Sequence, residues 1–255
     1  MRRTLEDADR QTLPPGRVSP RTRGIVVYAV GALVLIAMAY GVLSVDAQLG
    51  VARTIVALAG AIDADLGALF ERHVPLLRVI VWSLGAFAFY VAIPGLVVRL
   101  VFGHRLADYG LNARGFRRHL PLYLALFVPV AALVFVVAGS ADFQAKYPLF
   151  KDYGSTAELL VWELFYALQF FSLEFFFRGF LVHGVKDRLG VLAVFAMVMP
   201  YVMIHFSKPL YETVGAIVAG SVLGLVSLST RSIAGGVLIH VGIAWSMDLA
   251  AILHR

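Results

Sequence analysis

Cysteine is absent from the 255 residues, so disulfide bonds and thiolate chemistry are excluded. Charge is scarce as well. Asp, Glu, Lys and Arg make up 15% of the chain and hydrophobic residues 60%, whereas a soluble domain is about a quarter charged. There is no His-Glu-x-x-His zinc motif, no repeat of the kind that builds solenoids, and no polar stretch long enough for a soluble domain. The net charge of +6 suggests nucleic acid until the basic residues are mapped. They gather in particular loops, the pattern of a chain oriented in a membrane, so lipid is the expected surrounding and nucleic acid is not a partner.

Uncharged runs of about 20 residues recur, the length that crosses a bilayer core. The expected fold is all-α: a polytopic transmembrane helical bundle of about seven spans, or eight if residues 46–75 also cross. The expected spans are 24–45, 79–98, 120–141, 157–182, 190–206, 213–230 and 232–253. The first is too long for the apolar core of a signal peptide and reads as a span. Residues 1–23, with six arginines and Pro14-Pro15-Gly16, read as a disordered cytoplasmic basic tail, and 24–255 as a single transmembrane domain. Residues 46–75 read first as an amphipathic helix on the outer surface and second as a short re-entrant segment. Pro200 predicts a kink or break in its span. Gly220 and Gly224 form a small-xxx-small spacing that lets two helices approach closely.

Orientation follows from the basic residues. With the N-terminus inside, 14 of the 22 Lys and Arg fall in inner segments and seven in outer ones; the remaining one, Arg178, lies within a span. The two-to-one bias predicts a multi-pass protein with a cytoplasmic N-terminus.

Chemistry concentrates in 172–181, where a carboxylate and a guanidinium interrupt an apolar run. Glu174 and Arg178 are four residues apart and share a helix face. Ionised groups at membrane depth are costly, so the pair serves either as a structural ion pair or as a site in which Glu174 takes a proton from water and Arg178 positions it. His205 and His240, on two later spans, form the second constellation. Each reads as a packing histidine alone, or together they hold a water, polarise a carbonyl or bind a metal with Glu174. By rise per residue, Glu174 and His240 lie roughly 13 Å from the inner surface and His205 roughly 22 Å, so simple counting does not bring the three together. Glu163 lies three turns before Glu174 on the same face and reads as an interface residue nearer the outer surface, with a place at the entrance to the site as the alternative. Asp248, two turns after His240, reads as a solvated group near the end of the last span. Phe170, Phe171, Phe175, Phe176 and Phe177 read as lipid-facing or packing groups, with a substrate slot as the alternative.

The order of these residues resembles the CPBP family of intramembrane proteases, which includes the type II CAAX prenyl endopeptidases and bacterial bacteriocin-processing and self-immunity proteins. The family's Glu-Glu-x-x-x-Arg motif, usually followed by Gly-Phe-Leu, is matched by Leu173-Glu174-Phe-Phe-Phe-Arg178-Gly179-Phe180-Leu181. Its aromatic-x-x-x-His motif is matched by Tyr201-Val-Met-Ile-His205, and its His-x-x-x-Asn motif by His240-Val-Gly-Ile-Ala244. Tyr109-Gly110-Leu111, Lys208-Pro209-Leu210 and Thr230-Arg231-Ser232 add to the likeness, which covers about residues 100–250. Two positions depart from the pattern: Leu173 stands where the water-activating Glu is usual, and Ala244 where an oxyanion-binding Asn is usual.

The resemblance implies an endopeptidase of the bacterial inner membrane, acting on a membrane-associated or C-terminally tagged protein or peptide. It implies catalytic roles for Glu174, Arg178, His205 and His240 in a glutamate-type mechanism with no cofactor, zinc being the alternative. Leu173 and Ala244 favour a second reading, a catalytically inactive relative that binds a peptide or lipid as a scaffold or immunity factor. A transporter is a third reading, without the inverted repeat that class carries.

Overall fold

Apolar sequence without partners for its backbone must satisfy its own N–H and C=O groups, and the chain does so as helix. The computed structural model describes residues 12–208 and 210–254; the expectations for residues 1–11 lie outside that range. In chain order the helices are α1 (Pro20–Val42), α2 (Val45–Ile62), α3 (Ala64–Arg72), α4 (Val74–Phe102), α5 (Phe116–Val137), α6 (Ala141–Lys146), α7 (Thr156–Leu189), α8 (Leu192–Met203), α9 (Leu210–Thr230) and α10 (Ala234–Leu253). A short 3-10 turn, Leu106–Tyr109, lies between α4 and α5, and the described residues contain no strand.

Among the described residues seven helices are long and apolar enough to cross a membrane: α1, α2, α4, α5, α7, α9 and α10. The number agrees with expectation, but the set differs. Val45–Ile62, expected as a surface amphipath, forms an 18-residue helix that is long and apolar enough to cross. Ser44 caps its start by accepting from the Ala47 N–H at 3.3 Å. Asp63 ends it and caps α3, accepting from the Leu66 N–H at 2.9 Å. Conversely α8, which carries Pro200, has only 12 residues, about 18 Å of rise. The sequence around it is apolar, but the helix stops three residues after the proline.

The chain divides into two compact units. The first comprises Met1–Leu33, Tyr90–Ala125 and Ser172–Ile239. At its centre Phe175–His183 runs as π-helix with every residue buried. Tyr90 packs on Phe176 with ring centroids 4.8 Å apart. Phe175, Phe176 and Phe177 are therefore packing groups, and the lipid-facing alternative does not hold for them. The expected close approach occurs between α8 and α9. A Cβ on Gly220 would meet the Tyr201 ring at 2.9 Å, and one on Gly224 would meet Val194 at 2.6 Å.

Four segments of the first unit are tied together at one end. The Leu13 N–H and the Arg23 guanidinium both donate to the Asp187 carboxylate. Arg17 donates from its backbone to the Phe102 carbonyl and from its side chain to the Leu100 carbonyl. Asn112 donates to the Arg231 carbonyl at 2.9 Å, and the Ile233 N–H to the Gly110 carbonyl at 2.9 Å. Residues 12–23, expected as part of a disordered tail, are thus held by specific hydrogen bonds.

The second unit comprises Val34–Phe89, Leu126–Phe171 and His240–Arg255. Its α2–α3 hairpin closes where Gly60 and Gly67 touch: a Cβ on Gly67 would lie 2.6 Å from the Gly60 Cα. Val79, Phe150, Trp162, Tyr166 and Ala244 form an apolar cluster. Asp248, expected to be solvated, is fully buried. Its carboxylate accepts from the Leu149 N–H at 2.9 Å and the Trp162 Nε1–H at 3.1 Å, partners that a linear count of span length does not supply.

Candidate functional site

Glu174 is the last residue of the α-helical part of α7, and Arg178 lies in the π-helical part that follows. The wider π turn leaves the two side chains adjacent, with Arg178 Nη1 3.1 Å from Glu174 Oε1 and both side chains 0% exposed. π-Helical turns inside α-helices occur often at functional sites. A Cβ on Gly236 of α10 would overlap the Glu174 carboxylate, so only glycine fits there.

The other face of the guanidinium is covered by an aromatic ring. The Arg178 Cζ lies 4.1 Å from the centroid of Tyr201, a cation–π contact in a buried setting. The sequence delivers that ring through α8, and Gly220 gives it room. His205 follows one turn later, with ring centroids 4.8 Å apart. Its Nδ1 lies 2.7 Å from the Tyr201 carbonyl oxygen. A carbonyl only accepts, so Nδ1 carries a proton and donates it to that oxygen. Thr213 donates to the His205 carbonyl at 2.7 Å and fixes the chain beyond the helix.

Three predicted residues therefore form a series within the first unit, Glu174 to Arg178 to Tyr201 to His205. The joining group, Tyr201, is the aromatic of the second motif rather than one of the predicted catalytic residues. The fourth, His240, is half-buried in the second unit, its ring centroid 4.4 Å from that of Phe170. Leu173 is buried and apolar, and Ala244 sits in the Val79–Phe150–Trp162–Tyr166 cluster. Neither position offers a polar atom.

The electrostatics are one-sided. Glu174 Oε1 and the Tyr201 hydroxyl are the oxygens beside the Arg178 guanidinium, but Nε, Nη1 and Nη2 meet neither in full hydrogen-bonding geometry, although the side chain is fully buried. Each buried donor left unfilled costs about 1–3 kcal/mol, and such groups need a specific reason. A guanidinium held by one carboxylate and one ring, with donors in reserve, can bind an oxygen that gains negative charge. Among the described residues no three His, Asp or Glu side chains gather as a metal site.

A second buried polar group lies in the first unit. His183 Nε2 is 3.1 Å from Ser227 Oγ, and its Nδ1 is 3.3 Å from Lys186 Nζ. The ammonium donates to Nδ1, so Nε2 carries the proton and donates to the serine. This tautomer cannot take the hydroxyl proton, which makes the trio a structural tie and not a nucleophile with its base. Only the tertiary contact with α9 distinguishes His183 from an exposed loop histidine.

The helices and this buried Glu–Arg centre define a multi-pass membrane protein with ionic chemistry inside its spans. Residues 155–246 match the model of a protease family described as type II CAAX prenyl endopeptidase Rce1-like. The match agrees with the CPBP resemblance and spans all three motifs. No curated protein and no solved structure matches the chain.

Proposed function

We propose that the chain is an intramembrane endopeptidase of the CAAX type, hydrolysing a peptide bond of a membrane-associated or C-terminally tagged protein. It would reside in a bacterial inner membrane with its N-terminus in the cytoplasm. Glu174 takes a proton from water while the oxygen attacks the scissile carbonyl, and the proton passes to the leaving amine as the C–N bond breaks. Arg178 orients Glu174, and its reserve N–H groups take the place of the missing Asn as donors to the developing oxyanion. His205, oriented by its bond to the Tyr201 carbonyl, positions the attacking water. His240 enters on the resemblance, as a second polarising imidazole. No cofactor takes part.

The observation that carries this reading is the buried Glu174–Arg178 pair, continued through Tyr201 to His205. The test compares membrane proteomes of cells with the wild-type chain, without it, and with Glu174→Gln, His205→Ala or His240→Ala. A precursor should accumulate in the deletion and in each variant, with cleavage down at least about 100-fold. Full cleavage by Glu174→Gln removes the mechanism. No accumulating precursor in any strain favours the scaffold reading to which Leu173 and Ala244 point.

A further inference from the structure

We infer that the loop entering α5 is a binding site for the phosphate headgroup of an anionic lipid. Arg114, Arg117 and Arg118 lie within five residues and are all exposed. None has an acidic partner among the described residues. Beside them is a cavity of about 550 Å³, lined by Ala113, Gly115, Phe116, Arg117 and Arg118, within the range of small-molecule sites.

The loop is built to stay in place. Asn112 donates to the Ala107 carbonyl at 3.0 Å and the Arg231 carbonyl at 2.9 Å, and its Oδ1 accepts from the Arg114 N–H at 3.1 Å. Gly115, at φ +68°, supplies the left-handed turn that leads the chain into the helix. The arginines thus project from an anchored turn, beside an open depression in the surface.

A lipid fits better than a free anion because the apolar half of the ligand is also accommodated. Leu122 and Leu124 are 43% and 45% exposed. Leu122 follows Arg118 by four residues and Leu124 follows Arg117 by seven, so each exposed leucine lies on the helix face of one arginine. An arginine with an exposed leucine one or two turns below it matches a phosphate above an acyl chain. The arginines lie at the start of a helix able to span the bilayer, the level at which lipid phosphates lie.

The test uses the full chain in detergent, with phosphatidylglycerol or phosphatidylcholine added and bound lipid counted by native mass spectrometry. Wild type should retain phosphatidylglycerol over phosphatidylcholine. Arg117→Gln/Arg118→Gln should weaken that retention about 25-fold, at roughly 1 kcal/mol per basic residue. Arg188→Gln, an exposed cation elsewhere, should leave it unchanged, and all three proteins should melt alike because the residues are on the surface. Equal retention of the two lipids, or undiminished retention by the double variant, overturns the site. Displacement of the lipid by millimolar inorganic phosphate would show an anion site without lipid preference and overturns it equally.

Discussion

Gly236 has no side chain because the Glu174 carboxylate occupies the space where one would be. Gly236→Ala must push the carboxylate away from Arg178 or separate α10 from α7, and overpacking of this kind costs about 1–3 kcal/mol. The expected outcome is a protein that inserts, melts lower, and cleaves its substrate far more slowly than wild type; comparing melting and cleavage in one preparation checks it. Tyr201 makes a complementary case. Tyr201→Phe keeps the ring over Arg178 but loses the hydroxyl beside the guanidinium, and should retain more activity than Tyr201→Leu, which also loses the cation–π contact, worth up to about 2 kcal/mol when desolvated. If the two variants behave alike, the ring is not what holds the guanidinium. The pair Glu174 and Arg178 was legible from sequence because i, i+4 spacing needs only local geometry. Tyr201 was legible only as a motif letter, since its contact with Arg178 joins residues of two different helices.

At the scale of elements, the site depends on the short helix α8 lying against α9. Gly220 and Gly224 allow that approach, and the small-xxx-small pattern announced it. Gly220→Val should displace Tyr201 and with it His205, abolishing cleavage while the outer part of the fold persists; retained activity with an unchanged melting profile would refute this dependence. The length of α8 was not legible. Its flanks are apolar enough to extend it, but the helix ends at Met203, and His205 Nδ1 satisfies one of the carbonyls left open. The π-helical run of α7 was equally hidden; it packs tightly at Gly179, where a Cβ would lie 2.9 Å from the Tyr109 carbonyl oxygen.

At the scale of the whole molecule, the bonded end of the first unit constrains the topology. The start of α1 and the end of α4 meet there through Arg17 and the Phe102 and Leu100 carbonyls. α1 carries the chain away and α4 brings it back, so residues 43–73 must begin and end on the same side. α2 is long enough to cross, but α3, with nine residues, rises only about 14 Å and cannot return the chain. We therefore expect α2 not to cross despite its composition. Because the chain has no cysteine, single cysteines at positions 44 and 73 can be labelled without background. Both should react with an impermeant thiol reagent from the same side, opposite to a cysteine at position 114; labelling from opposite sides would make α2 a true span.

The sequence by itself determined the helical class, the membrane setting, the family likeness and the acid–base pair on α7. Composition, run length and i, i+4 spacing are properties of a linear chain, and they act locally. Only the tertiary structure decided that Asp248 is a buried acceptor, that His183 is a tie, and that Tyr201 links Arg178 to His205. Those contacts join residues up to about a hundred positions apart, and their partners are chosen by packing between helices that no local pattern encodes.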